Sequence, residues 1–170
     1  MESLKMPFSK KIIIGVDPGL ASVGYGVVSR IQNNKFKCLG YGLIQTDHSL
    51  ATTKRLEKIY NELGKLIKKH KPDILAVENV YFFKNLKTAL PVSQAKGVIL
   101  LTAAKNNIPI KEFTPLQVKM GVTGYGRAEK KQVQKMIQYL LSLKDIPEPD
   151  DAADALAVAV CCGRALDRGL

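Results

Sequence analysis

The chain has no tryptophan, only two histidines (His48 and His70) and three cysteines, and each shortage closes off a class of chemistry. Without further histidines there is no Ser-His-Asp or Cys-His arrangement to build a nucleophilic triad. Cys38, Cys161 and Cys162 show no C-x-x-C spacing, and the adjacent pair cannot form an ordinary bridge with itself, so a reducing compartment fits best. Long apolar runs are missing too: the most apolar later stretch, 97–104, is far short of the ~20 residues of a membrane-spanning helix. Residues 1–10 are short and polar, and the apolar run after them is broken by Asp17 too early for an export signal. A soluble, cytoplasmic protein is therefore expected. Negative charge is the last shortage. Against 26 Lys+Arg stand 15 Asp+Glu, a formal charge of +11 that suggests a polyanionic partner, nucleic acid first. At 170 residues one core should suffice, so the expected organisation is a single domain over 1–170, with 1–10 as a short lead.

What the chain does have is organised around residues 11–28, KIIIGVDPGLASVGYGVV. The run Ile12, Ile13, Ile14 and Val16 suits a strand covered on both faces and ends in the acid Asp17. Pro18 and Gly19 make a turn, and extended structure resumes over 23–30, where Gly24 and Gly26 keep one side bare for something bulky to approach. After a turn at Gln32-Asn33-Asn34, residues 35–46 form a third strand of an antiparallel meander. Thr52 or Thr53 can cap a helix with apolar residues Leu56, Ile59, Tyr60, Leu63, Leu66 and Ile67. Its end is basic, His70 reads as a helix-end cation, and Pro72 stops it.

Residues 73–80 (DILAVENV) make a second buried-type strand carrying Glu78, a carboxylate whose burial implies a cation nearby unless it lies at the strand's open end. Tyr81, Phe82 and Phe83 follow; beside a basic surface they could stack on bases, and at least one should pack in the core. Residues 90–105 are expected to be helical, with Pro91 fixing the start in the first turn. This helix is apolar around most of its circumference, so one face meets the sheet and another needs a cover, most economically a second copy of the chain. A short strand over 108–113 leads to a glycine-rich stretch, 120–126, expected to be a mobile loop; an amphipathic helix over 128–143 and a last helix over 150–164 complete the chain.

Carboxylates thus recur at the end of the first strand, in the fourth strand and at the start of the last helix, where Asp150, Asp151 and Asp154 could reach Asp17. Helical spacing leaves the choice open. Asp150 and Asp154 lie some 40° apart around the axis, and Asp151 and Asp154 some 60° apart on the other side.

The segments DPGLASVGYGVV, AVENVYFFKN, SQAKGV, the glycine-rich loop running into AEKKQV, and DDAADALAVAV resemble, in that order, the motifs of the RuvC family of bacterial Holliday junction resolvases, over roughly residues 11–164. The resemblance implies an α/β, ribonuclease-H-like fold, a mixed five-stranded sheet with helices on both faces. It further implies a homodimer and a Mg²⁺-dependent endonuclease that resolves four-way DNA junctions by paired symmetric nicks in recombination and repair, alongside the RuvA–RuvB branch-migration complex. It carries over four acidic positions, Asp17, Glu78, Asp151 and Asp154, as catalytic and metal-binding. Tyr81 falls at the family's aromatic position, and Lys119 and Lys130 match basic positions near the cleaved phosphate. The motif D-A-A-D selects Asp151 over Asp150, which is then expected to accept backbone N–H bonds at the helix end.

The chemistry is consistent with that reading. Phosphodiester hydrolysis needs an activated water and compensation of charge on the attacking and leaving oxygens, which two Mg²⁺ ions per site (Mn²⁺ is a plausible substitute) held by carboxylates provide. Asp17 is expected to bridge both ions. A ribonuclease-H-like nuclease acting on another branched or RNA-containing substrate is the main alternative. The DPGLASVGYG turn also resembles the first phosphate loop of actin-like sugar kinases, for whose second lobe 170 residues leave no room, and a non-catalytic junction scaffold would not set four acids against a phosphate backbone.

Overall fold

The computed structural model describes residues 10–31, 35–79 and 86–166, the side chains of 86–88 excepted. The turn expected at Gln32-Asn33-Asn34 and the aromatic run Tyr81, Phe82 and Phe83 lie outside the described residues. Five strands, β1 (Lys11–Asp17), β2 (Ser22–Ile31), β3 (Lys35–Gln45), β4 (Ile74–Glu78) and β5 (Ile110–Phe113), form one sheet in the order β3-β2-β1-β4-β5. The first three are the antiparallel meander expected; β4 and β5 run parallel to β1. The central β1 is a near-continuous apolar run because both its faces are covered.

Alternation along β1 divides the core. Ile14 and Val16 face α1 (Thr52–His70) and α2 (Leu86–Lys105), meeting Ile59, Leu63, Ile99 and Ala103. Ile13 faces the other side, where α3 (Pro115–Thr123), α4 (Lys130–Leu140) and α5 (Asp150–Ala165) supply Val118, Val122, Ile137 and most of the apolar residues of α5. Helix α5 lies directly on the sheet. A Cβ on Gly15 would strike the Ala155 carbonyl, and one on Gly24 the Asp151 carbonyl. The bulky neighbour for which the bare strand edge was kept is therefore the protein's own last helix, whose alanines let its backbone descend onto those glycines. Gly15→Ala must push α5 off β1 and is expected to cost about 1–3 kcal/mol, the usual scale for overpacking, read as a fall in Tm; an unchanged Tm would mean that the helix can shift freely.

Several local expectations need correction. Helix α1 is capped by neither threonine: Ala51 is the N-cap, with no side-chain hydrogen bond, and Thr52 is already helical. Helix α2 begins at Leu86, so Pro91 is inside it and not in its first turn. The missing amide is the one that would meet the Lys87 carbonyl. Residues 120–126 are not all loop. Met120 to Thr123 complete α3, which starts with a capping box between Thr114 and Gln117 and a proline in its first turn. Gly121 sits within that helix because a side chain there would meet Cys161 Sγ, 2.5 Å from its Cβ, and Gly124, at φ 76°, is the left-handed C-cap. Among the described residues, no helix is long and apolar enough to cross a membrane.

Candidate active site

Strands β1 and β4 are parallel neighbours in register, Val16 beside Val77, so Asp17 and Glu78 emerge side by side at the carboxyl end of the sheet. Glu78 is the last residue of its strand, which is the open-end placement left as an alternative by the sequence. Two-residue alternation puts both acids on the α5 side: Ile13 and Gly15 lead to Asp17, and Ile74 and Ala76 to Glu78. The start of α5 passes over the same end of the sheet, its Asp151 carbonyl pressed against Gly24, the partner of Asp17 in the β1–β2 register. The turn after Asp17 is pinned by Thr46, whose hydroxyl donates to the Leu20 carbonyl (2.6 Å) and accepts from Arg55 Nε (2.9 Å).

The electrostatics identify which acids converge. Burial pushes the Asp17 carboxyl up to about 8, and the charges of Glu78, Asp154 and Asp151 add to it, with Lys130 opposing. Glu78 is likewise raised, by burial and then by Asp154, while Lys130 and Lys119 draw it back. Asp154 is raised by burial against the hydrogen bond from Lys130. Asp150 is absent from the groups acting on Asp17. It turns instead to α4, accepting from Gln134 Nε2 (2.9 Å) and pairing with Lys130 Nζ (3.0 Å), and these contacts hold its carboxyl below the usual range. The expectation that Asp150 accepts backbone N–H bonds is therefore wrong: α5 has no side-chain cap, and Asp150 and Asp154 (3.1 Å) share the Lys130 ammonium. Burial works against the charge on Lys130, yet those two acids keep its pKa above the ordinary value.

Lys119 and Lys130 come together with Glu78 and Asp154 around one cleft of about 270 Å³, floored by Pro115, Val118, Val133 and Ala157. Sequence reasoning did not find Gln134, which steadies Asp150; the signal was there in the four-residue spacing of Lys130 and Gln134, one face of one helix. Among the described residues no three Asp, Glu, His or Cys side chains are already gathered around one ion-sized point. The donor set nonetheless fits a hard divalent cation: it is all carboxylate oxygen, its four acids outnumber Lys119 and Lys130, and Asp17, Glu78 and Asp154, raised first by burial and then by the charge of neighbouring acids, are groups whose ionised forms a cation would favour.

Sheet order, the flanking helices and carboxylates at the ends of two central parallel strands define a ribonuclease-H-like α/β protein. The family model described as crossover junction endodeoxyribonuclease RuvC matches residues 13–162, and the chain belongs to that family. It is 55% identical over 150 residues to a protein of that name from Alkaliphilus metalliredigens, covering 88% of this chain and 91% of the relative. With the one from Fusobacterium nucleatum it shares 52% over 148 residues, 87% of this chain and 77% of the relative. Thermus thermophilus RuvC in complex with Holliday junction substrate superposes with a TM-score of 0.90 at 30% identity, over 94% of this chain and 96% of that one.

Proposed function

We propose that this protein is a cytoplasmic Holliday junction resolvase that cuts four-way DNA junctions by divalent-cation-dependent phosphodiester hydrolysis, in recombination and repair. The observation that carries the reading is the convergence of Asp17, Glu78, Asp151 and Asp154 at one end of the sheet of a RuvC-family fold. These four, Asp17 among them as the acid on which the others act, would hold Mg²⁺, two ions per site as in the family resemblance. Bound there, the ions would lower the pKa of an attacking water and offset charge on the leaving oxygen. The chain's own contribution is positional. Asp17 and Glu78 are fixed by strand register, Asp151 and Asp154 by α5 seated on Gly15 and Gly24, and Lys119 and Lys130 place positive charge beside the acids, where the scissile phosphate must lie. Tyr81, two residues beyond Asn79, is the residue for stacking on an exposed base.

Paired nicking needs two such sites, and α2 supports a homodimer. Leu90 and Leu101 are 67% and 55% exposed, and with exposed Gly97 and Ala104 they fall on one helical seam. Among the described residues nothing lies within 4 Å of where a Cβ at Gly97 would stand, so a residue that weakens an exposed helix finds no reason there to be glycine and suits close approach by a second α2. Val98 is half-buried, so Leu101→Asp is the cleaner disruption. It is expected to sediment as a monomer at micromolar concentration, with its circular dichroism spectrum kept and paired cutting lost; a variant that stays dimeric would move the interface elsewhere. Contact with the RuvA–RuvB complex remains part of the proposal from family resemblance.

The substrate is tested with a panel of end-labelled four-way junction, linear duplex and RNA–DNA hybrid, with and without Mg²⁺. Cutting confined to the junction supports the resolvase reading; preferential cutting of the hybrid's RNA strand supports the other ribonuclease-H-like reading instead. Metal-free junction binding should weaken steeply with salt, as phosphate contacts by a chain of charge +11 release counterions.

A further inference from the structure

The segment SQAKGV on α2 matches the family yet has no part in the site described above. Its alanine and glycine are accounted for by packing: Ala95 is fully buried against the sheet and Gly97 faces outward. Lys96 lies between them and leaves the helix in a third direction. Its ammonium donates to Asn79 Oδ1 (3.0 Å) and is ion-paired with Glu112 on β5, with the lysine side chain only 21% exposed. Asn79 directly follows Glu78, and its amide donates to the Phe113 carbonyl (2.8 Å) at the end of β5. In the β4–β5 register Glu112 stands beside Val77 and Phe113 beside Glu78. Lys96 therefore ties α2 to the adjoining ends of β4 and β5, beside Glu78.

We propose that Lys96 is a positioning residue that fixes the main chain at Glu78 through Asn79 and Glu112, so that the placement of α2 and the placement of a cleavage acid are mechanically one. A surface ion pair alone would matter little, but this one carries a further hydrogen bond to the residue adjoining a proposed metal-binding carboxylate. Outer contacts of that kind govern how well a carboxylate is presented, and their loss commonly costs about 10–100-fold in metal affinity or activity. The inference rests on the reading of Glu78 as one of the cleavage acids.

Lys96→Met and Lys96→Arg separate this role from others. Lys96→Met is expected to slow single-turnover junction cleavage by about 10-fold or more at a given Mg²⁺ concentration, with metal-free junction affinity and dimerisation unchanged. Lys96→Arg, which can make both contacts, should restore most of the rate. Independently of activity, hydrogen exchange at the Asn79 amide should quicken in Lys96→Met and not in Lys96→Arg. Wild-type cleavage and exchange in Lys96→Met would overturn the proposal, and so would a loss of junction affinity in proportion to rate, which would make Lys96 a phosphate contact. If the wild-type protein cuts no junction, the resolvase reading fails, while exchange at Asn79 still decides whether Lys96 holds that strand end.

Discussion

Asp17→Asn is expected to melt higher than the wild-type protein in metal-free buffer while losing at least about 10³-fold in junction cleavage, the scale on which a principal electrostatic stabiliser is missed. Both effects have one cause. The Asp17 carboxyl, pushed up to about 8 by burial and by three neighbouring acids, is far from its ordinary value of 3.8. Because the folded pKa lies above the unfolded one, the unfolded chain releases this proton first. Stability is therefore intact below about pH 4 and drains away as pH rises toward 8. An amide removes that loss, so the gap in Tm between variant and wild type should be small near pH 4 and widen up to about pH 8. Junction binding without metal should be undiminished, since the change removes no positive charge. A variant that melts lower at pH 8, or that still cuts, would contradict the placement of Asp17 at the centre of the acids.

The second large effect separates two adjacent residues. Asp151→Asn should bind junctions and fail to cut them at any Mg²⁺ concentration, because Asp151 acts directly on Asp17 and its backbone is locked against Gly24. Asp150→Asn should cut within a few-fold of wild type. Its carboxylate is exposed and engaged with Gln134 and Lys130, so the change weakens a link between α4 and α5 and lowers thermal stability slightly. Cleavage rates of the two variants over a Mg²⁺ series decide the matter. An inactive Asp150→Asn beside an active Asp151→Asn would mean that α5 is turned by about one residue, 100° around its axis, from the position described.

Where the sequence was legible, the reason is periodicity and charge. A β-branched run ending in Asp17 and a second apolar run carrying Glu78 mark two buried strands, and the apolar pattern of α4 and the alanines of α5 mark helices whose inner faces are narrow or bare. The four acids could be named because family motifs recur in order; spacing alone left Asp150 and Asp151 open and the D-A-A-D motif selected Asp151, while the contact that carries Asp151 toward Asp17, the packing of α5 on Gly15 and Gly24, is long-range and encoded in no local pattern. The errors were local signals outweighed by tertiary contacts. Gly121 resembles a loop residue and is a helix residue because Cys161 lies against it, and Pro91 resembles a helix start and is tolerated within a helix otherwise held by Ala95, Ile99 and Ala103. Asp150 looked like a cap because it opens a helix, and the attraction of Lys130 drew it away.

If the acids gathered over β1 and β4 form a divalent-cation-dependent centre for cutting junctions, labelling each strand of a four-way junction in turn and mapping single-turnover products with Mg²⁺ and with chelator will reveal it. Nicks are expected at symmetric positions in two opposed strands with Mg²⁺, and intact strands in chelator. Cleavage that persists in chelator, or strands left whole in both conditions while the protein remains bound, would contradict it.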